Sequence, residues 1–117
     1  MVKYQVCMAF PVLKGKEGQA KELAKMLSGP KKKEFDKFEK RLKTTKETWF
    51  IQPSPEGSMV ITYFESKIDP AKGFEEMARS KDPFDVWLKD KFKEISGIDF
   101  NNPPEGPMPE QILTYGY

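Results

Sequence analysis

Histidine is absent from this sequence. Imidazole is the usual acid and base near neutral pH, the commonest zinc ligand and the proximal ligand of many haems. Carboxylates, lysines, tyrosines and one thiol are left to carry any chemistry. Cysteine occurs once, as Cys7, so an intramolecular disulfide is excluded. No apolar run approaches the roughly 20 residues that span a bilayer. The opening Met1-Val-Lys-Tyr-Gln-Val6 lacks the layout of a signal peptide. A soluble cytoplasmic protein with no membrane partner is the expectation. Strong charge of one sign is also missing: 20 basic residues face 18 acidic ones, a net +2 that draws no particular partner.

What is present is a hairpin pattern. Glu47-Thr-Trp-Phe-Ile-Gln52 and Ser58-Met-Val-Ile-Thr-Tyr-Phe-Glu65 are rich in β-branched and aromatic residues. Pro53-Ser-Pro-Glu-Gly57 between them is a loop. With Gln52 opposite Ser58, one face carries Thr48, Phe50, Val60, Thr62 and Phe64. The other carries Trp49, Ile51, Met59, Ile61 and Tyr63. Both faces are apolar, whereas a sheet with one wet face alternates apolar and polar. Something should cover each side.

At 117 residues the chain suits one domain, 1–117, with one core. Val2–Val12 reads as a strand whose even face (Val2, Tyr4, Val6, Met8, Phe10, Val12) meets helices. Ala20, Leu23, Ala24 and Leu27 recur at helical spacing up to Ser28-Gly29-Pro30. Lys31–Lys46 reads as a second helix with a Phe35, Phe38, Leu42 stripe. Eight basic residues face three acidic ones in it, and Asp36–Lys40 and Glu39–Lys43 fall at i,i+4. Its charges read as a solvated face. Asp69-Pro70 and Asp82-Pro83 each open a helix with a capping carboxylate and a first-turn proline. The second carries Phe84, Trp87, Leu88, Phe92 and Ile95, and Gly97 ends it. Residues 101–109 hold four prolines, a rigid extended connection. Gln111–Tyr117 alternates as a last strand. Strands near 2–12, 47–53, 58–65 and 111–116 predict an α+β, ferredoxin-like, four-stranded antiparallel sheet with helices on one face. The other face then calls for a second copy, sheet against sheet.

The chain resembles the dimeric α+β barrel superfamily, which includes antibiotic-biosynthesis monooxygenases and stress-responsive barrel proteins. The carriers are Val12-Leu-Lys-Gly15-Lys-Glu17 with Leu23 following, the central hairpin and the terminal strand. The stretch from Glu47 through Ser80 and Trp87 also looks like an uncharacterised small family within that group. The resemblance implies a homodimer with a small-molecule pocket between sheet and helices. It also implies cofactor-free, monooxygenase-like chemistry on a phenolic or quinol-like substrate, using tyrosine, tryptophan and asparagine side chains. Trp49, Tyr63, Trp87, Asn101 and Asn102 are the residues of those types here, and no spacing selects among them. The haem-degrading branch uses a histidine that this chain lacks.

Each candidate also has a plain structural reading. Trp49, Tyr63 and Trp87 suit a core or interface. Asn101 and Asn102 suit a turn before prolines. Glu47 and Glu65 at the strand ends suit solvent, since only a strongly raised pKa would make either an acid or base. Cys7 suits a buried inert thiol. No metal or other cofactor is expected. The alternatives are a non-catalytic structural or regulatory dimer and, more distantly, an RNA-binding module. The last lacks the basic-Gly-aromatic-Gly opening in Gly57–Phe64, so no nucleic-acid partner is expected.

Overall fold

The computed structural model describes residues 4–103 and 108–116. Seven elements follow in order: β1 (Tyr4–Pro11), α1 (Glu17–Ser28), α2 (Lys32–Arg41), β2 (Thr44–Gln52), β3 (Met59–Ser66), α3 (Pro70–Arg79) and α4 (Pro83–Ser96). The strands form an antiparallel sheet in the order β1-β3-β2. On β1, Val6 and Phe10 are buried while Cys7, Ala9 and Pro11 are exposed, as the alternation predicts, but Tyr4 at the strand's start is exposed although it falls on the even face. The helices therefore cover one face. Phe10, Val60, Leu23, Leu27, Phe38, Leu88 and Phe100 meet in the core between them.

The caps act as the sequence predicts. Asp69 accepts from the Ala71 amide at 3.0 Å and Asp82 from the Phe84 amide at 2.9 Å. Each satisfies a first-turn donor that the helix itself cannot. Gly97 closes α4 at φ 79°, in the left-handed region that glycine reaches without a Cβ clash.

Three expectations need correction. The hairpin register differs by one residue: Gln52 pairs with Met59, Ile51 with Val60, Phe50 with Ile61 and Trp49 with Thr62. Ser58 belongs to the loop, where its carbonyl accepts from the Val12 amide at 3.0 Å. A one-residue slip moves side chains to the opposite face. Trp49 and Ile51 therefore share the helix side with Val60, Thr62 and Phe64. Phe50 shares the open side with Met59, Ile61 and Tyr63. Second, α2 stops at Arg41 and β2 starts at Thr44. Lys43 between them adopts φ 60°, which no helix tolerates, and its carbonyl accepts from the Lys67 amide at 2.9 Å.

Third, 111–116 forms no strand, so the sheet has three strands among the described residues. Gln111 Nε2 donates to Gln5 Oε1 at 3.0 Å, which keeps this segment near β1. Ile112, Leu113 and Tyr115 are all exposed, Tyr115 at 97%. A strand is stabilised by packing its side chains on a covered surface. Among the described residues these side chains have no such surface. Residues 104–107 of the proline-rich connection, the first residues of the expected first strand and Tyr117 lie outside the described residues.

Candidate functional site

The register fixes what β2 presents to the helices: Glu47, Trp49 and Ile51. Phe35, Phe38 and Glu39 of α2 and Leu42 capping it fall at i, i+3, i+4 and i+7, one face of a helix. That face lies against β2, so the carboxyls of Glu39 and Glu47 come within hydrogen-bond reach of each other. The solvated ion pair expected between Glu39 and Lys43 gives way to this arrangement. Its neighbour Asp36–Lys40 does form, at 3.1 Å on the outer face.

The carboxyl pair stands in a wall between two spaces. Inside lies a cavity of about 80 Å³ between sheet and helices, lined largely by Met8, Phe10, Phe74, Met77, Leu88, Phe92 and Phe100. Outside lies an open groove of about 520 Å³ between β2 and the first two helices, bordered by Ala24, Leu27, Lys32, Asp36 and Lys46. Phe35, Glu39, Thr44, Glu47 and Trp49 line both.

Trp49 Nε1 donates to Glu47 Oε2 at 2.6 Å, a short bond of the kind a charged acceptor makes. Its ring packs against Phe92 with centroids 5.5 Å apart, which holds the donor in place. Glu39 Oε1 is fully buried and accepts from no donor among the described residues. Burial, followed by the charge and hydrogen bond of Glu47 and the charge of Asp36, pushes Glu39 up to about 10. Burial also raises Glu47, against the opposing hydrogen bonds from Glu39 and Trp49. Two carboxyls this close cannot both ionise readily. Near neutral pH Glu39 keeps its proton. The arrangement thus presents a protonated Glu39, with the Trp49-bonded Glu47 beside it, to an apolar cavity.

Of the aromatic and amide candidates, Trp49 lines the cavity. Tyr63 points to the open sheet face, where its hydroxyl donates to Glu65 Oε2 at 2.7 Å. Trp87 packs on Phe84 at 5.6 Å, and Lys31 Nζ sits 5.0 Å from its ring centre. Asn101 and Asn102 are exposed in a turn built on Asp99, whose side chain accepts from the Asn101 amide at 2.9 Å. These four line neither space.

The carboxylates and the thiol also depart from their plain readings. Glu47 is half-buried in the wall and Glu65 is buried in the sheet, so neither is simply solvated. Cys7 is exposed on the open face instead of buried, because no helix lies over that side. Glu39 was hidden behind its charge. Its signal is positional: it follows Phe35 by four residues and so falls on the apolar stripe.

Among the described residues no group of three or more His, Cys, Asp or Glu side chains is placed to hold a metal ion. No helix among them is long and apolar enough to cross a membrane. No protein-family profile, curated protein or solved structure matches the chain.

Proposed function

We propose that this protein binds a small, neutral, largely apolar molecule across the cavity and groove, and acts on it by proton transfer without a cofactor. The observation that carries this reading is the half-buried Glu39–Glu47 pair at the junction of the two spaces, with the Glu39 Oε1 atom fully buried and Trp49 bonded to Glu47. Burying a carboxyl without a counter-ion is costly, so a fold meets that cost only where something offsets it. A ligand group that hydrogen-bonds to Glu39 Oε1 would supply the missing partner. A monooxygenase-like activity, as the family resemblance implies, would begin by taking a proton from the substrate, and Glu47 is placed for that step. A cytoplasmic location accords with the single free thiol.

The same reading makes the working unit a homodimer with a ferredoxin-like, four-stranded sheet, closed into a barrel by sheet-to-sheet packing. What supports it is the open face: Phe50, 62% exposed, lies beside Met59, Ile61 and Tyr63. The exposed apolar residues of 111–116 lie near the free edge of β1 and would form the fourth strand once a second copy covers them.

Binding can be read from Trp49 emission in a Trp87→Phe background, where Trp49 is the sole tryptophan. Titration with cyclohexanone or cyclohexanol should give a saturable change, distinct from the linear loss that collisional quenching produces. A strictly linear response to both compounds would reject the pocket.

A further inference from the structure

The position of the two carboxyls points to a particular reaction, and this step rests on the pocket reading above. We propose that Glu47 and Glu39 together enolise a neutral carbonyl compound, a ketone or aldehyde bearing a hydrogen on the adjacent carbon. An enolisation needs a base at the carbon and a donor at the oxygen at the same moment. These two reacting sites are separated by one bond plus the carbonyl, a span that two hydrogen-bonded carboxyl groups can reach. Glu47 is fixed as the base because Trp49 Nε1–H stabilises its anion at 2.6 Å. Glu39 is the donor: its single proton, which bonds Glu47 in the free protein, passes to the carbonyl oxygen once a ligand sits against the pair.

The step balances without an oxidant. A Glu47 oxygen takes the proton from the carbon next to the carbonyl. The C–H electron pair becomes the carbon–carbon double bond. The carbonyl π pair moves onto oxygen, which takes the proton of Glu39. The pair still holds one proton, now on Glu47. Reversal at the same carbon restores the ketone. Reversal at a conjugated carbon moves a double bond, so isomerisation belongs to the same chemistry.

The surroundings favour a neutral substrate. An anionic group beside Glu47 would add like charge in an apolar site. The charged groups on the two spaces, besides the pair itself, are Lys32 and Asp36 on α2 and Lys46 on β2. They border the groove; α1, α3 and α4 present no charge to either space. A cavity that takes benzene measures about 150 Å³. At about 80 Å³, the inner cavity holds part of a ring. The remainder lies in the groove, which sets the reacting carbons at the wall.

The test is deuterium exchange. Cyclohexanone in heavy water at near-neutral pD is followed by proton NMR, with binding read in parallel from Trp49 emission. General acid–base catalysis contributes about 10²–10⁴-fold, and exchange at the adjacent carbons should exceed the buffer rate by at least the lower figure. Glu47→Gln should bind the ketone and lose the acceleration. Glu39→Gln, whose amide still donates, should keep more of it than Glu39→Ala. Trp49→Phe should shift the pH profile of exchange upward, because Glu47 loses the bond that stabilises its anion; a merely structural role would leave the profile in place. Saturable binding with exchange at the buffer rate would overturn the enolisation and spare the pocket. Absence of binding would overturn both. Unchanged exchange in Glu47→Gln would also overturn the assignment.

Discussion

The residue that departs most from its expected role is Glu39. It belongs to a lysine-rich helix yet turns its carboxyl inward, where burial and Glu47 hold it protonated. This has a consequence for stability. The ordinary value is 4.5 and the folded value about 10, so between those limits the folded chain keeps a proton that the unfolded chain has released. The raised value of Glu47 acts in the same direction. The contribution is full below the ordinary carboxylate value and is lost as pH rises towards the folded value. Stability should therefore decline from mildly acidic to alkaline pH, at up to about 1.4 kcal/mol per pH unit for one proton. Glu39→Gln keeps a hydrogen-bond donor and removes the titration. It should flatten the decline and raise Tm at about pH 9. Thermal unfolding across pH measures both, and an unchanged slope in the variant would count against a buried, proton-holding Glu39.

At the scale of elements, α3 and α4 are joined by a buried lysine. Lys89 is 2% exposed, and its Nζ donates to the carbonyls of Met77, Ala78 and Ser80 at 2.8, 3.3 and 3.1 Å. These are carbonyls of the last turn of α3 and its cap; Met77 also accepts from the Ser80 amide at 3.3 Å. Nearby, Asp85 accepts from Arg41 and from the Ser80 hydroxyl, so α2 is tied to the same corner. Lys89→Met keeps the apolar stem and strands the carbonyls. It should cost roughly 2–3 kcal/mol, against about 1 kcal/mol for loss of the helix cap in Asp82→Ala. Urea unfolding of both variants tests the ranking; equal midpoints would contradict it. Nothing in the spacing of the sequence marks Lys89. It lies one residue beyond Leu88 on a helix whose burial is broad, and only the ending of α3 above it supplies the partners.

For the whole molecule the open sheet face is decisive. Burying a large apolar side chain is worth roughly 1.5–3 kcal/mol, so Phe50, Met59, Ile61 and Tyr63 together would outweigh the cost of association. Phe50→Lys should give a monomer by light scattering at micromolar concentration with Tm little changed. Val60 faces the core, and a lysine there should unfold the chain instead. A wild-type chain of monomer mass would refute the dimer.

The sequence by itself determined what local chemistry controls. The alternation of β1, the aspartate–proline helix starts, the Gly97 stop and an apolar hairpin were all legible, because each depends on residues a few positions apart. The class of sheet followed from their order. Tertiary structure decided the rest. The hairpin register hung on Ser58, whose partner Val12 is far along the chain, and that single residue settled whether Trp49 or Phe50 faced the helices. The last segment alternates like a strand, yet among the described residues it pairs with none, and its alternation alone could not show this. The carboxyl pair was invisible for the same reason: Glu39 and Glu47 read as ordinary surface charges until α2 folds onto β2. Their burial, and so their chemistry, arises only where two elements close over them.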